Sequence, residues 1–231
     1  MKTLGIIGGM GPESTVEYYR TIISLYREES GDGSYPQFVI NSIDLKKELA
    51  FIEADDLPGL TTYLLEEIEK LARAHCDFGL IASNTPHLVF DELAKDSAIP
   101  LLSIVETAVE EVKDHGWKRP AIFGTCFTMQ GTFYPKVFSR EGIELIVPAA
   151  DSASFIHDKY MNELVVGQFL PSTRAGLLRV VDQLRETSEI DSVILAGTEL
   201  PLILREPQHN GIPMLDTMRV HARAAVQRML S

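Results

Sequence analysis

The chain is poor in cysteine, in basic residues and in long apolar runs, and each shortage narrows what it can do. Of 231 residues only two are cysteine, Cys76 and Cys126. They fall in no metal-ligand spacing and read as free thiols rather than as a disulfide or a metal centre. Lys and Arg total 21 against 33 Asp and Glu, a formal net charge of −12. With no basic cluster anywhere, nucleic acid and anionic membrane surfaces are poor partners. A small acidic ligand stays open, because a cleft can be locally positive on a negative protein. No apolar run approaches the ~18–20 residues that span a bilayer. The start, MKTLGIIGGMG, has an apolar stretch too short for a secretory signal and passes straight into patterned sequence. The expectation is a cytoplasmic protein with no membrane or nucleic-acid partner.

What is present is ordinary globular composition, 45% hydrophobic and 23% charged, at a length that suits one large domain or two small ones. Short apolar runs rich in β-formers alternate with helical patterns. Strands are expected at 4–9, 37–43, 77–83, 100–104, 119–125, 144–148, 192–197 and 213–216. Helices are expected at 58–75, 105–115, 173–187 and 217–230, among others. Strands that are apolar throughout rather than alternating, with helices between them, indicate parallel sheets covered on both faces.

The chain also repeats itself. IIGGMGPESTVEYYR (6–20) aligns with IFGTCFTMQGTFYPK (122–136), placing Gly8 on Gly124 and Tyr18 on Tyr134. DFGLIASNTPHLVFDE (77–92) aligns with DSVILAGTELPLILRE (191–206), placing Asp77 on Asp191 and Ser83 on Gly197. IPLLSI (99–104) aligns with IPMLDT (212–217). The three spacings are 116, 114 and 113, in the same order, which indicates duplication. The expected fold is α/β, with one half at 1–99 plus 213–231 and the other at 100–212. Open parallel sheets bind ligands beyond the carboxyl ends of their strands. Two such halves facing each other would grip a small substrate in a cleft between them, with residues 83 and 197 on its two walls.

The start MKTLGIIGGMGPESTVEYYR, the SNTPH block, GTCFTMQGTFY, NELVVGQF, GTELPLIL and LDTMRVH resemble the aspartate/glutamate racemase superfamily, and its aspartate racemase branch most of all. The resemblance runs in order along nearly the whole chain. It implies two pseudo-symmetric Rossmann-like domains with the active site between them, and a C-terminal helix that returns to the first domain. It also implies a homodimer, and catalysis without pyridoxal phosphate, metal or other cofactor. The family's usual chemistry passes the α-proton between two cysteines, in Cys-Asn-Thr and Gly-Cys-Thr-Glu motifs. On this chain those cysteine positions fall on Ser83 and Gly197, while Asn84, Thr85, Thr198 and Glu199 match.

These residues define the expected site. Ser83, Thr198 and Glu199 are the candidate catalytic residues. Ser83 offers a hydroxyl, and Glu199 is a carboxylate whose pKa partial desolvation would raise toward neutrality. Asn84 and Thr85 offer donors for a carboxylate at a strand-to-helix junction, or simply cap the helix. Met10, Thr125, Thr128 and Lys159 join them as candidate substrate contacts, and Gly197 is expected to leave room for the substrate to approach. Cys126 reads as packing beside that loop, and His87 and His221 as either site residues or interior hydrogen-bonding groups. The ligand expected is a small carboxylate or acidic amino acid. Racemisation, a shifted chemistry such as elimination, decarboxylation or cis–trans isomerisation, and plain binding remain open at this point. A partial dinucleotide fingerprint, Gly9-x-Gly11-x-x-Ser14, is weak, because Pro12 removes an N–H where a pyrophosphate needs one.

Overall fold

A computed structural model describes residues 1–231. The chain divides into two compact units, Met1–Ile104 with Met218–Ser231, and Val105–Thr217.

In the first unit four parallel strands lie in the order β2-β1-β3-β4: β1 (Leu4–Gly8), β2 (Phe38–Ser42), β3 (Phe78–Ile81) and β4 (Leu101–Leu102). Helix α1 (Pro12–Ser30) begins on Pro12, whose fixed φ suits a first helical turn, and stops at Gly31 in the left-handed region. Asp44 caps α2 (Leu45–Glu53) by accepting the Lys46 N–H at 2.9 Å, and Asp56 caps α3 (Leu57–Arg73) through the Gly59 N–H. α4 (Phe90–Asp96) leads to β4, and α5 (Ile104–Asp114) carries the chain across. Leu4, Ile6, Tyr18, Ile22, Phe78 and Leu80 form a core that α11 (Thr217–Leu230) completes with Met218, Ala222 and Val226.

The second unit repeats the plan with β5 (Pro120–Gly124), β6 (Ser192–Ala196), β8 (Ile212–Asp216) and the edge strand β7 (Gln208–His209), in the order β5-β6-β8-β7. β7 runs antiparallel to β8; the other pairings are parallel. Short helices α6 (Cys126–Met129) and α7 (Phe133–Phe138) follow β5, α8 (Ala150–Lys159) and α9 (Pro171–Ser188) precede β6, and α10 (Leu200–Ile203) follows it. Phe123, Leu177, Val181, Val193 and Leu195 centre this core.

The repeat extends to ladder register. Leu4 pairs with Phe78 and Pro120 with Ser192; Gly79 pairs with Leu101 and Val193 with Met214. Each pair maps onto the other at the spacings of the sequence blocks. The aligned aspartates do the same work as well. Asp77 accepts the N–H of Thr3 at 2.6 Å, and Asp191 accepts that of Arg119 at 2.8 Å, each pinning the strand that starts its unit.

Three expectations change. The unit borders fall after Ile104 and Thr217 rather than after residues 99 and 212. The reason is that β4 is laddered to β3 and β8 to β6, so each strand finishes its own sheet before the chain crosses. The strand expected at 144–148 contracts to one bridge, in which only Ile146 exchanges bonds with Pro120 and Ile122. The short β7 was not foreseen.

Among the buried titratable side chains of the first unit, His87, His221 and Glu48 are shifted furthest. His221 lies 2.9 Å from the Tyr18 hydroxyl through Nδ1 and 3.1 Å from the Leu102 carbonyl through Nε2, so Nε2 carries the proton. His87 accepts the Ile104 N–H on Nε2 at 3.2 Å and stacks on Phe90. Burial holds His221 down at about 4. Burial, with His221 nearby, holds His87 at about 3, although the backbone of Ser83 and Asn84 opposes this. Nδ1 itself makes no hydrogen bond of normal geometry. Both histidines are thus neutral interior groups. Glu48 on α2 is 1% exposed with Oε2 unpartnered, and burial pushes its pKa up to about 8.

The signs follow from proton linkage. A histidine depressed in the folded state loses stability as pH falls below its unfolded value of about 6.5. A carboxyl raised to about 8 loses stability as pH climbs from its ordinary 4.5. Between those two unfolded values the two histidines outweigh the one carboxyl. The combined contribution of these three groups to stability therefore peaks near pH 6.5, a pH set by the histidines' unfolded value, and falls on both sides. Thermal melts across this range should show Glu48→Gln removing the alkaline decline and leaving the acid decline intact. An unchanged alkaline limb in that variant would refute the assignment.

Candidate functional site

The equivalent ends of β3 and β6 carry the residues singled out by the sequence. In the first unit the chain leaves β3 through Ala82, whose N–H still bonds to Ile7. Ser83, Asn84 and Thr85 then turn into a short 3₁₀ segment, Thr85–Val89, and all three are buried. Asn84 stands at the cap position of that segment, but its side chain makes no capping bond. At the end of neighbouring β1, Gly9 has φ +92, and a Cβ there would sit 2.3 Å from the Ile43 carbonyl oxygen, so the loop bearing Met10 needs glycine. Met10 is buried.

In the second unit β6 ends in Gly197, Thr198 and Glu199. Thr198 is 1% exposed and Glu199 fully buried. A buried carboxyl requires hydrogen-bond donors. Glu199 Oε2 accepts from the Thr198 hydroxyl at 3.1 Å and from the Tyr160 hydroxyl. Burial, and then the adjoining Glu199 carboxylate, raise the Tyr160 pKa well above that of an ordinary phenol, so Tyr160 keeps its proton and acts as a donor. Tyr160 opens a π-helical turn, Tyr160–Leu164, at the end of α8. Such insertions cluster at functional positions.

Gly197 does not leave an opening, contrary to expectation. A Cβ on residue 197 would lie 2.4 Å from Cε2 and 3.0 Å from Cζ of Tyr160. The aromatic ring fills the volume in which a side chain would begin.

The remaining candidates are placed as follows. Thr125 caps α6, its hydroxyl accepting the Thr128 N–H at 3.2 Å and lying 3.2 Å from the Thr128 hydroxyl. Lys159 is paired with Glu163 one turn on, and Glu163 also accepts from Thr173. Those two donors hold the Glu163 pKa low. The Cys126 N–H donates to His157 Nδ1 at 3.1 Å, and its Sγ is 3.7 Å from Nε2. Burial pushes the Cys126 thiol up, which keeps it protonated and unreactive at neutral pH. Two contributors escaped the sequence reading, Tyr160 and His157. The one available signal was Gly197 itself, a missing side chain that in a close-packed interior has to be replaced by something.

With this geometry in place, comparison with known proteins is direct. The family model for Asp/Glu/hydantoin racemases matches residues 7–225, and the chain belongs to that family. It is 26% identical to the broad specificity amino-acid racemase RacX of Bacillus subtilis (strain 168), over 99% of this chain and 98% of that protein. Among solved structures it is similar to PH1733, an aspartate racemase homologue from Pyrococcus horikoshii OT3, with 31% identity, full coverage of both chains and a TM-score of 0.83. The fold is shared with the aspartate racemase of Picrophilus torridus, at a TM-score of 0.82 and 24% identity over 99% of this chain and 94% of that one.

Because Tyr160 occupies the side-chain volume of residue 197, Gly197→Ala should overpack that end of β6 and cost about 1–3 kcal/mol. Combining it with Tyr160→Ala should recover part of that loss. A double-mutant cycle by urea unfolding measures the coupling, and additive effects would mean the ring is not where it is described.

Proposed function

We propose that the protein is an amino-acid racemase-type isomerase that moves the α-proton of an acidic amino acid without a cofactor. Ser83 serves one strand end, and Glu199 with Thr198 serves the other. The observation that carries this reading is the buried carboxyl of Glu199, held by two hydroxyl donors at the strand end equivalent to that of Ser83. A carboxyl positioned in this way is a general base without need of a thiol. Family membership and the similarity to a broad specificity amino-acid racemase support the reaction class. Asn84, Thr85 and Met10 in the first unit, and Thr125, Thr128 and Lys159 in the second, are the candidate contacts for the substrate carboxylates. The homodimer expected from the family resemblance is part of the same reading.

Breadth of substrate is a second reading with its own observation. The Lys159 ammonium is already paired with Glu163, which weakens its hold on a second carboxylate. The test panel therefore spans acidic, neutral and basic amino acids of both configurations. In deuterated water the active substrates should exchange the α-hydrogen for deuterium by NMR and yield both enantiomers by chiral chromatography. Glu199→Gln should lower turnover roughly 10²–10⁴-fold. Cys126→Ala and iodoacetamide should leave it unchanged. A product of altered mass would replace racemisation with lyase chemistry, and activity abolished by alkylation of Cys126 would overturn the thiol-free assignment.

A further inference from the structure

The two strand ends are equivalent in register but not in equipment. Ser83 brings a hydroxyl to the end of β3, and Gly197 brings nothing to the end of β6. What stands at the β6 end is Tyr160. Its ring edge lies where the Cβ of residue 197 would be, with Cζ 3.0 Å from that point, so the phenolic oxygen, one bond beyond Cζ, belongs to the same end. That oxygen donates to Glu199 Oε2, which Thr198 also holds. The π-helical turn beginning at Tyr160 adds a residue to the last turn of the helix and changes the direction in which side chains at this point project. Glycine at 197 and tyrosine at 160 therefore form one device.

We propose that Tyr160 is the proton-carrying catalytic residue of the β6 strand end, and that Glu199 acts through it as the acceptor of its proton. This rests on the racemase reading above and refines it, because Glu199 then has no need to meet the substrate. In the step on this face the α-carbon–hydrogen bond breaks and a new O–H bond forms on Tyr160. The original Tyr160 proton passes to Glu199, which becomes a neutral carboxylic acid. The electron pair stays with the substrate, on the α-carbon and its carboxyl group. In the reverse direction Glu199 returns its proton to Tyr160 as Tyr160 gives one to the α-carbon. Burial and the neighbouring carboxylate disfavour a free phenolate, so Tyr160 releases its proton only as another arrives. Full burial of Glu199 suits a group reached only through its partner.

The test compares wild type with Tyr160→Phe, which keeps the ring in the volume beside Gly197 and removes only the hydroxyl. Both are incubated in deuterated water with single enantiomers of alanine, aspartate, glutamate and lysine. Tyr160→Phe should lower enantiomer interconversion roughly 10²–10⁴-fold while still unfolding cooperatively, at a melting temperature lowered by the loss of one donor to Glu199. Deuterium exchange without inversion should persist in one enantiomer only, because the face served by Ser83 is untouched. A second variant guards against a purely structural loss. The double substitution Tyr160→Ala with Gly197→Cys clears the ring and sets a thiol in its place, and should restore interconversion that is sensitive to iodoacetamide. If wild type interconverts a substrate and Tyr160→Phe does so equally fast, or loses exchange from both enantiomers alike, this assignment falls and the racemase reading stands. If wild type exchanges no α-hydrogen in any of these amino acids, both fall together.

Discussion

A carboxyl group with no contact with water must find donors within the protein, and at Glu199 that requirement organises the end of β6. The Thr198 hydroxyl reaches it from the neighbouring residue, and Tyr160 reaches it from the end of α8. For the phenol to arrive, its ring must lie against the backbone at residue 197, which permits only glycine there. Burial then closes the group off and strengthens each bond, since a hydrogen bond in a dry interior is worth more than one in water. Sequence and backbone at this point are consequences of one buried carboxyl group.

The two units show which parts of a repeated plan are constrained. The central ladders match residue for residue, and each unit fastens its first strand with an aspartate at the same place, Asp77 and Asp191. The outer strands differ. A five-residue β2 in the first unit corresponds to the single bridge at Ile146 in the second, and only the second unit adds the antiparallel β7. Central strands are packed on both faces and cannot slip without reversing every side chain, whereas edges tolerate change.

Much of this was legible in the sequence. Apolar runs placed seven of the eight foreseen strands because buried parallel strands are apolar on both faces. The internal alignments matched the two units to each other, and the ladder pairings of one map onto the other at those spacings. The boundaries were less legible. Whether Leu101–Leu102 and Ile212–Asp216 belong to one sheet or the next depends on which strand they ladder to, a long-range choice. At the candidate site, Ser83, Asn84, Thr85, Thr198 and Glu199 could be named because they are contiguous at two strand ends. Tyr160 could not, because it is distant in sequence from Gly197 and meets it only through a π-turn that no local pattern announced. The buried Glu48 was also invisible, since a glutamate on a helix ordinarily faces water.

The interlock of residues 160 and 197 also has an evolutionary reading. A side chain on 197 and an aromatic ring at 160 claim the same volume, so neither state can be reached from the other by changing one position alone. A mutational route that changes one position at a time passes either through the overpacked pair or through an intermediate with glycine at 197 and a small residue at 160. The second leaves a cavity beside β6 and deprives Glu199 of a donor. Either intermediate is less stable than the two end states, so substitutions at the two positions are epistatic.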